Sequence, residues 1–184
     1  MRAGIVFLVG IVALAGCREE RAALPDPVAI TAESAGFYCQ MSLLEHDGPK
    51  GQIHLDGMPE PLFFSQVKDA VAYLHMPEQS HAVVATFVQD MSVGTWEAPG
   101  PWMNAREAVY VIGSTMMGGM DAPEFVPFAT EAAAQAFADV YGGEVRAFDA
   151  ITAEDALAAQ ASDASQDTPA HDDISARLHA LSHD

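Results

Sequence analysis

The chain has 184 residues, 50% of them hydrophobic and 18% charged, enough for one domain of ordinary size and too apolar for a wholly disordered chain. With 8 Lys and Arg against 26 Asp and Glu, the formal net charge is −18, a poor match for nucleic-acid phosphates or anionic lipid headgroups. Two cysteines are too few for a disulfide scaffold or for a cysteine-rich zinc or iron–sulfur site.

The first segment, residues 1–16, has the shape of a secretory signal. Arg2 precedes an apolar run from Ile5 to Ala15 that is too short to span a bilayer. It ends in Leu14-Ala15-Gly16-Cys17, which resembles the bacterial lipoprotein signal box. Cleavage before Cys17 and acylation of its thiol would anchor the protein to a membrane, facing the periplasm. Residue 18 is Arg rather than the Asp that resembles an inner-membrane retention signal, which favours the outer membrane. Residues 17–36 are polar and carry Pro25 and Pro27, so they read as a lipidated tether.

Two structural halves follow, over 37–91 and 92–151. In the first, Gln52–Leu55 and Pro61–Phe64 read as short strands. Ser65 reads as the N-cap of a helix with apolar residues at 67, 70, 71 and 74, and His81–Val88 reads as a third strand. The second half repeats the order. Strands are expected at Ala108–Ile112 and Phe125–Phe128. A helix capped by Thr130 runs to Val140, with Phe137 and Val140 on its apolar side. Gly142-Gly143 stops it, and Glu144–Phe148 is the last strand. The expected fold is α+β, built from two similar β-β-α-β halves. The acidic tail, 152–184, lacks aromatic residues and reads as mostly disordered, with room for a helical piece. Removing everything after Ile151 is therefore expected to leave fold and metal affinity nearly unchanged. His171, His179 and His183 in that tail are secondary candidates for Cu(II) or Zn(II).

With Cys17 acylated, Cys39 is the remaining thiol, and a solitary thiol in an exported chain asks for an explanation. Met41 stands two residues on, and residues two apart in an extended segment share a side. Thiolate and thioether sulfurs together favour Cu(I) over hard cations. Of the nine methionines, Met58, Met76 and Met103 read as core fillers. Met116, Met117 and Met120 instead lie in a loop rich in glycine that offers no helical stripe for them to join.

In order, these features resemble the NosL family of copper-chaperone lipoproteins. The matches are the box ending at Cys17; Cys39-x-Met41, similar to the family's Cys-Gly-Met; Trp96; and the Ala108-Val109-Tyr110-Val111 strand. They continue through the Met-Gly loop leading from Met120 to Phe128 and the Ala-Phe helix ending at Gly142-Gly143. The likeness covers roughly residues 17–150. It implies two β-β-α-β units, related to the accessory domain of organomercurial lyases. It also implies Cu(I) as cargo for the nitrous oxide reductase apoprotein, delivered alongside an ABC-type maturation complex, and no enzymatic activity. The implied ligands are Cys39, Met41 and Met120. Met117 is the alternative to Met120, because the family's Pro-Met-Gly is altered here, and Gln40 stands where the family has Gly. Two other readings are a metal-free scaffold lipoprotein and a thiol-dependent lyase using Cys39 with His46 or His54 as base.

Overall fold

A computed structural model describes residues 24–158. The lipoprotein box with Cys17, and the tail histidines 171, 179 and 183, lie outside the described residues. No helix among the described residues is long and apolar enough to cross a membrane.

The first half holds β1 (Gly51–Leu55), β2 (Leu62–Phe64), α1 (Val67–His75) and β3 (Val83–Gln89). After it come β4 (Trp102–Asn104), β5 (Val109–Ile112), β6 (Val126–Phe128), α2 (Glu131–Tyr141), β7 (Glu144–Ala147) and α3 (Ala153–Leu157). All strand pairs are antiparallel, in two sheets of order β2-β1-β3-β4 and β6-β5-β7. In both sheets the first strand of the half lies between the second and the last, so the expected repeat is present. The edge strand β4 was not expected. Its three half-buried residues pair with β3 and extend the first sheet from the linker between the halves.

Alternation within the strands builds the packing. Ile53 and Leu55 face Phe64, Ala70 and Tyr73 in a cluster beneath α1. In the second sheet Val111, Val126 and Phe128 pack with Ala134 and Phe137 beneath α2. Tyr110, alternate to Val111, joins Val67, Val71, Val88, Phe125, Ile151 and Ala156 in a cluster that fuses the halves. The Tyr110 hydroxyl, fully buried there, donates to the Ala105 carbonyl at 2.7 Å.

Several local expectations change on packing. The N-cap of α1 is Gln66, not Ser65, and neither side chain closes the first turn. Thr130 does cap α2, its hydroxyl accepting from the Ala133 N–H at 3.3 Å, and Gly142 ends that helix. Val140, expected on the apolar side of α2, is 72% exposed. The buried stripe runs through Ala133, Ala134, Phe137 and Ala138 and does not continue to Val140 in the last turn. Met103 packs against the core as expected, but Met58, in the turn after β1, and Met76, at the end of α1, are exposed.

The folded part also extends beyond both expected boundaries. Val28, in the expected tether, exchanges two hydrogen bonds with the buried Gln52 side chain, at 2.8 and 3.0 Å. Ala35 bridges Ser42, and Gly36 bridges Phe63. At the other end, Thr152 and Asp155 form a capping box that starts α3. Ala156 is buried, Asp155 pairs with Arg146 at 2.8 Å, and Lys68 of α1 donates to the Ala158 carbonyl at 3.2 Å. Truncation after Ile151 is thus expected to destabilise the fold by about 1–3 kcal/mol. Truncation after Ala158 leaves each of these contacts in place and is the reference. Equal urea midpoints for the two truncations would show that α3 contributes nothing.

Candidate metal site

Cys39 sits in a tight turn over 36–41. The Gly36 N–H donates to the Met41 carbonyl at 2.9 Å and the Gln40 N–H to the Gly36 carbonyl at 2.8 Å. Gln40 is left-handed, at φ 56, a conformation that glycine adopts at less cost. The turn is fastened to the first half through its aromatics. Phe37 lies 5.8 Å from Phe64 and 5.7 Å from Tyr73, ring centre to ring centre, and Tyr38 lies 5.5 Å from Phe64. A Cβ on Gly36 would come within 2.5 Å of the Cys39 sulfur, so the thiol is seated against bare backbone.

From that seat Cys39 Sγ reaches 3.9 Å from His46 Nε2 and 3.7 Å from Ser65 Oγ. His46 follows the short 3-10 turn Leu43–Glu45 that brings the chain back toward the thiol. On the other side of His46 is the methionine loop. A Cβ on Gly119 would lie 2.7 Å from His46 Cβ and 3.0 Å from the Ser65 carbonyl oxygen. The second half's loop is therefore pressed against His46, the imidazole partner of the thiol in the first half.

The loop is itself ordered. Met117 bridges Pro123, the Gly118 N–H donates to the Ala122 carbonyl at 2.7 Å, and Asp121 turns the chain at φ 54. The Met120 N–H donates to Gln66 Oε1 at 2.8 Å. Glu124, at the end of the loop, accepts from the Lys68 N–H of α1 at 2.9 Å and from the Phe125 N–H at 2.8 Å. It thereby closes the first turn of α1 from the other half of the molecule, the task expected of Ser65. Glu124 is 1% exposed, and its Oε2 has no hydrogen-bond partner among the described residues. Burial pushes its carboxyl up to about 8, so the group is largely neutral at pH 7.

The expected ligands divide as follows. Cys39 and the Met120 segment are brought together around His46. The side chains of Met41, Met117 and Met120 are 44%, 43% and 44% exposed. Three thioethers free of the core can move onto a metal, whereas Met116 packs against the second core. The left-handed Gln40 replaces the extended path that would set Cys39 and Met41 on one side. His46 was not singled out as a ligand, because no short spacing links it to Cys39; only the 3-10 turn does. His54 points elsewhere. Its Nε2 lies 2.9 Å from Gln52 Oε1 and its ring meets Phe87 edge-on, so it cannot serve Cys39 as a base.

Among the described residues, no three His, Cys, Asp or Glu side chains converge as a metal-binding group. A site at Cys39 and His46 must draw its further donors from thioethers, and such a set suits a soft cation. A groove of about 550 Å³ lies elsewhere, lined by Val84, Thr86, Asn104, Arg106 and Phe148.

Fold and site together describe a small two-unit α+β protein that presents soft donors at its surface. A sequence model of the NosL family matches residues 27–156, and the chain belongs to that family. It is 44% identical to the copper-binding lipoprotein NosL of Achromobacter cycloclastes over 191 aligned positions, covering 100% of this chain and 98% of the relative. It is 32% identical to the protein of the same description from Stutzerimonas stutzeri, covering 75% and 73%. Its fold is similar to the crystal structure of the copper chaperone NosL from Shewanella denitrificans, with a TM-score of 0.65 at 32% identity over 69% of this chain and 96% of that one. These relatives are named for binding or carrying copper and not for catalysis, in agreement with the expectation that this chain is no enzyme.

Proposed function

We propose that this protein carries Cu(I) as cargo, held by Cys39, His46 and Met120, with Met41 and Met117 as exposed thioethers available during transfer. The observation that carries the reading is the seating of Cys39 Sγ 3.9 Å from His46 Nε2, with Gly119, the residue before Met120, packed against the same His46. Thiolate, imidazole and thioether form a donor set that a hard cation would not choose. Exposed thioethers leave a face open, as handover to an acceptor requires. The names of the relatives support copper as the metal.

The finer parts of the reading rest on the family resemblance. Cys17 anchors the mature chain by its acyl groups on the periplasmic side of a membrane, the outer one favoured. The acceptor is the nitrous oxide reductase apoprotein, served alongside an ABC-type maturation complex. A net charge of −18 suits a basic acceptor surface and steers encounter with it.

A titration of reduced protein with Cu(I) against a chromophoric chelator tests the reading. Tight binding near one equivalent is expected, together with Cu(I) transfer to the apo-reductase. No binding would leave the scaffold reading standing. Cells carrying Cys17→Ser should release the protein from the membrane fraction; an unchanged distribution would rule out the anchor.

A further inference from the structure

We infer that Gln66 and Glu124 are positioning residues for the copper site: they latch the methionine loop of the second half onto the N-terminus of α1 and so fix Met120 beside Cys39 and His46. The inference deepens the copper-carrier reading and rests on it.

The latch consists of two hydrogen bonds, each accepted by a buried side chain. Gln66 is 1% exposed, and its Oε1 accepts the Met120 N–H at 2.8 Å across 54 residues of sequence. Glu124 spans 56 residues in the opposite sense, from the loop to the Lys68 N–H in the first turn of α1. Between them lies Gly118. A Cβ there would meet Glu124 Oε2 at 2.6 Å and Gln66 Oε1 at 3.0 Å, so the loop backbone fills the space between the two side chains. Each half thus contributes one polar side chain that holds the backbone of the other.

The chemistry gives the latch a purpose. A thioether is a weak donor on a flexible side chain, and a loop that has to be ordered at the moment of binding subtracts from affinity. Cys39 and His46 are already fixed by the 36–46 segment. Met120 belongs to the other half, and its own N–H is the atom that Gln66 holds. Gln66 touches no metal in this scheme; it acts through Met120, as outer groups around metal sites act through the ligands they orient.

The test is a double-mutant cycle read on Cu(I) affinity and on the copper X-ray absorption spectrum. Gln66→Leu removes the acceptor at similar volume. It should lower Cu(I) affinity about tenfold, within the range typical of outer-shell losses, and reduce the number of sulfur scatterers around copper. In a Met120→Ala background, Gln66→Leu should cost nothing further. Backbone amide exchange at Met120 in the apo protein should speed up in Gln66→Leu, without copper being involved. Should Gln66→Leu not fold, Gly118→Ala displaces the same segment from the loop side, with the same expected loss of affinity and of a sulfur scatterer. An equal loss from Gln66→Leu with and without Met120 would overturn the positioning role, as would an unchanged sulfur count. If Met120→Ala weakens copper binding while Gln66→Leu and Gly118→Ala do not, the latch alone is wrong. If Met120→Ala itself binds copper as the wild type does, the Met120 assignment in the copper reading falls, and the latch's role falls with it.

Discussion

Cys39→Ser should cost the protein most of its Cu(I) affinity, more than any other single substitution at the site. The thiolate supplies charge as well as softness, and Cu(I) bound to it replaces the thiol proton. A serine hydroxyl neither ionises near neutral pH nor matches a soft cation. The expected loss is roughly a hundredfold or more, beyond the upper end of the 10–100-fold usual for supporting groups. Met120→Ala and His46→Ala should each cost less than Cys39→Ser. Met41→Ala should cost least, since the left-handed Gln40 breaks the extended path that would set Met41 beside the thiol, whereas the Met120 backbone is held by Gln66. Competition against a chromophoric Cu(I) chelator under reducing conditions measures the order. Wild-type affinity in Cys39→Ser would remove the thiol from the site. Ser65 gives an internal control, because its hydroxyl lies 3.7 Å from the sulfur, but it is a hard donor. Ser65→Ala should leave affinity within a few-fold of wild type.

The apo protein should lose stability as pH rises from about 5 to about 7.5, and Glu124→Gln should abolish most of that slope. The sign follows from the direction of the shift. Burial raises the Glu124 carboxyl from 4.5 to about 8, so the native state holds its proton more tightly than the unfolded chain. The stabilisation is complete below the unfolded value and is lost as pH climbs through the folded one. Over this window the loss is on the order of 3 kcal/mol. Asp69, also raised by burial, acts in the same sense. Lys50, whose ammonium burial lowers to about 8, acts oppositely but chiefly above this window, and His54, lowered by burial, opposes the slope within it. Glu124→Gln keeps the acceptor for the Lys68 N–H and cannot ionise, so unfolding midpoints at the two pH values should converge. An unchanged slope in Glu124→Gln would assign the pH dependence to general carboxylate repulsion in this acidic chain.

The sequence by itself determined much of what depends on neighbours along the chain. The β-β-α-β order of each half follows from alternation and helical periodicity within windows of ten residues. Thr130 caps α2 because a hydroxyl needs only the N–H three residues on. The Cys39-x-Met41 pair and the glycine-bearing loop carrying Met120 were legible for the same reason, as short runs holding soft donors, whereas the left-handed turn at Gln40 was not. Tertiary structure decided what lies between those segments. His46 reaches the thiol only because the chain turns back through Leu43–Glu45. The end of α1 is closed not by Ser65 but by Glu124, and Met120 is held by Gln66, across 56 and 54 residues. No local period encodes such pairs. They exist because packing buries two polar side chains at the junction of the halves, and a buried polar group must find its partner wherever the fold has brought one. The helix α3 was hidden for a related reason. Five residues cannot sustain a helix alone, and this one persists because Ala156 is buried against α1 and Asp155 meets Arg146.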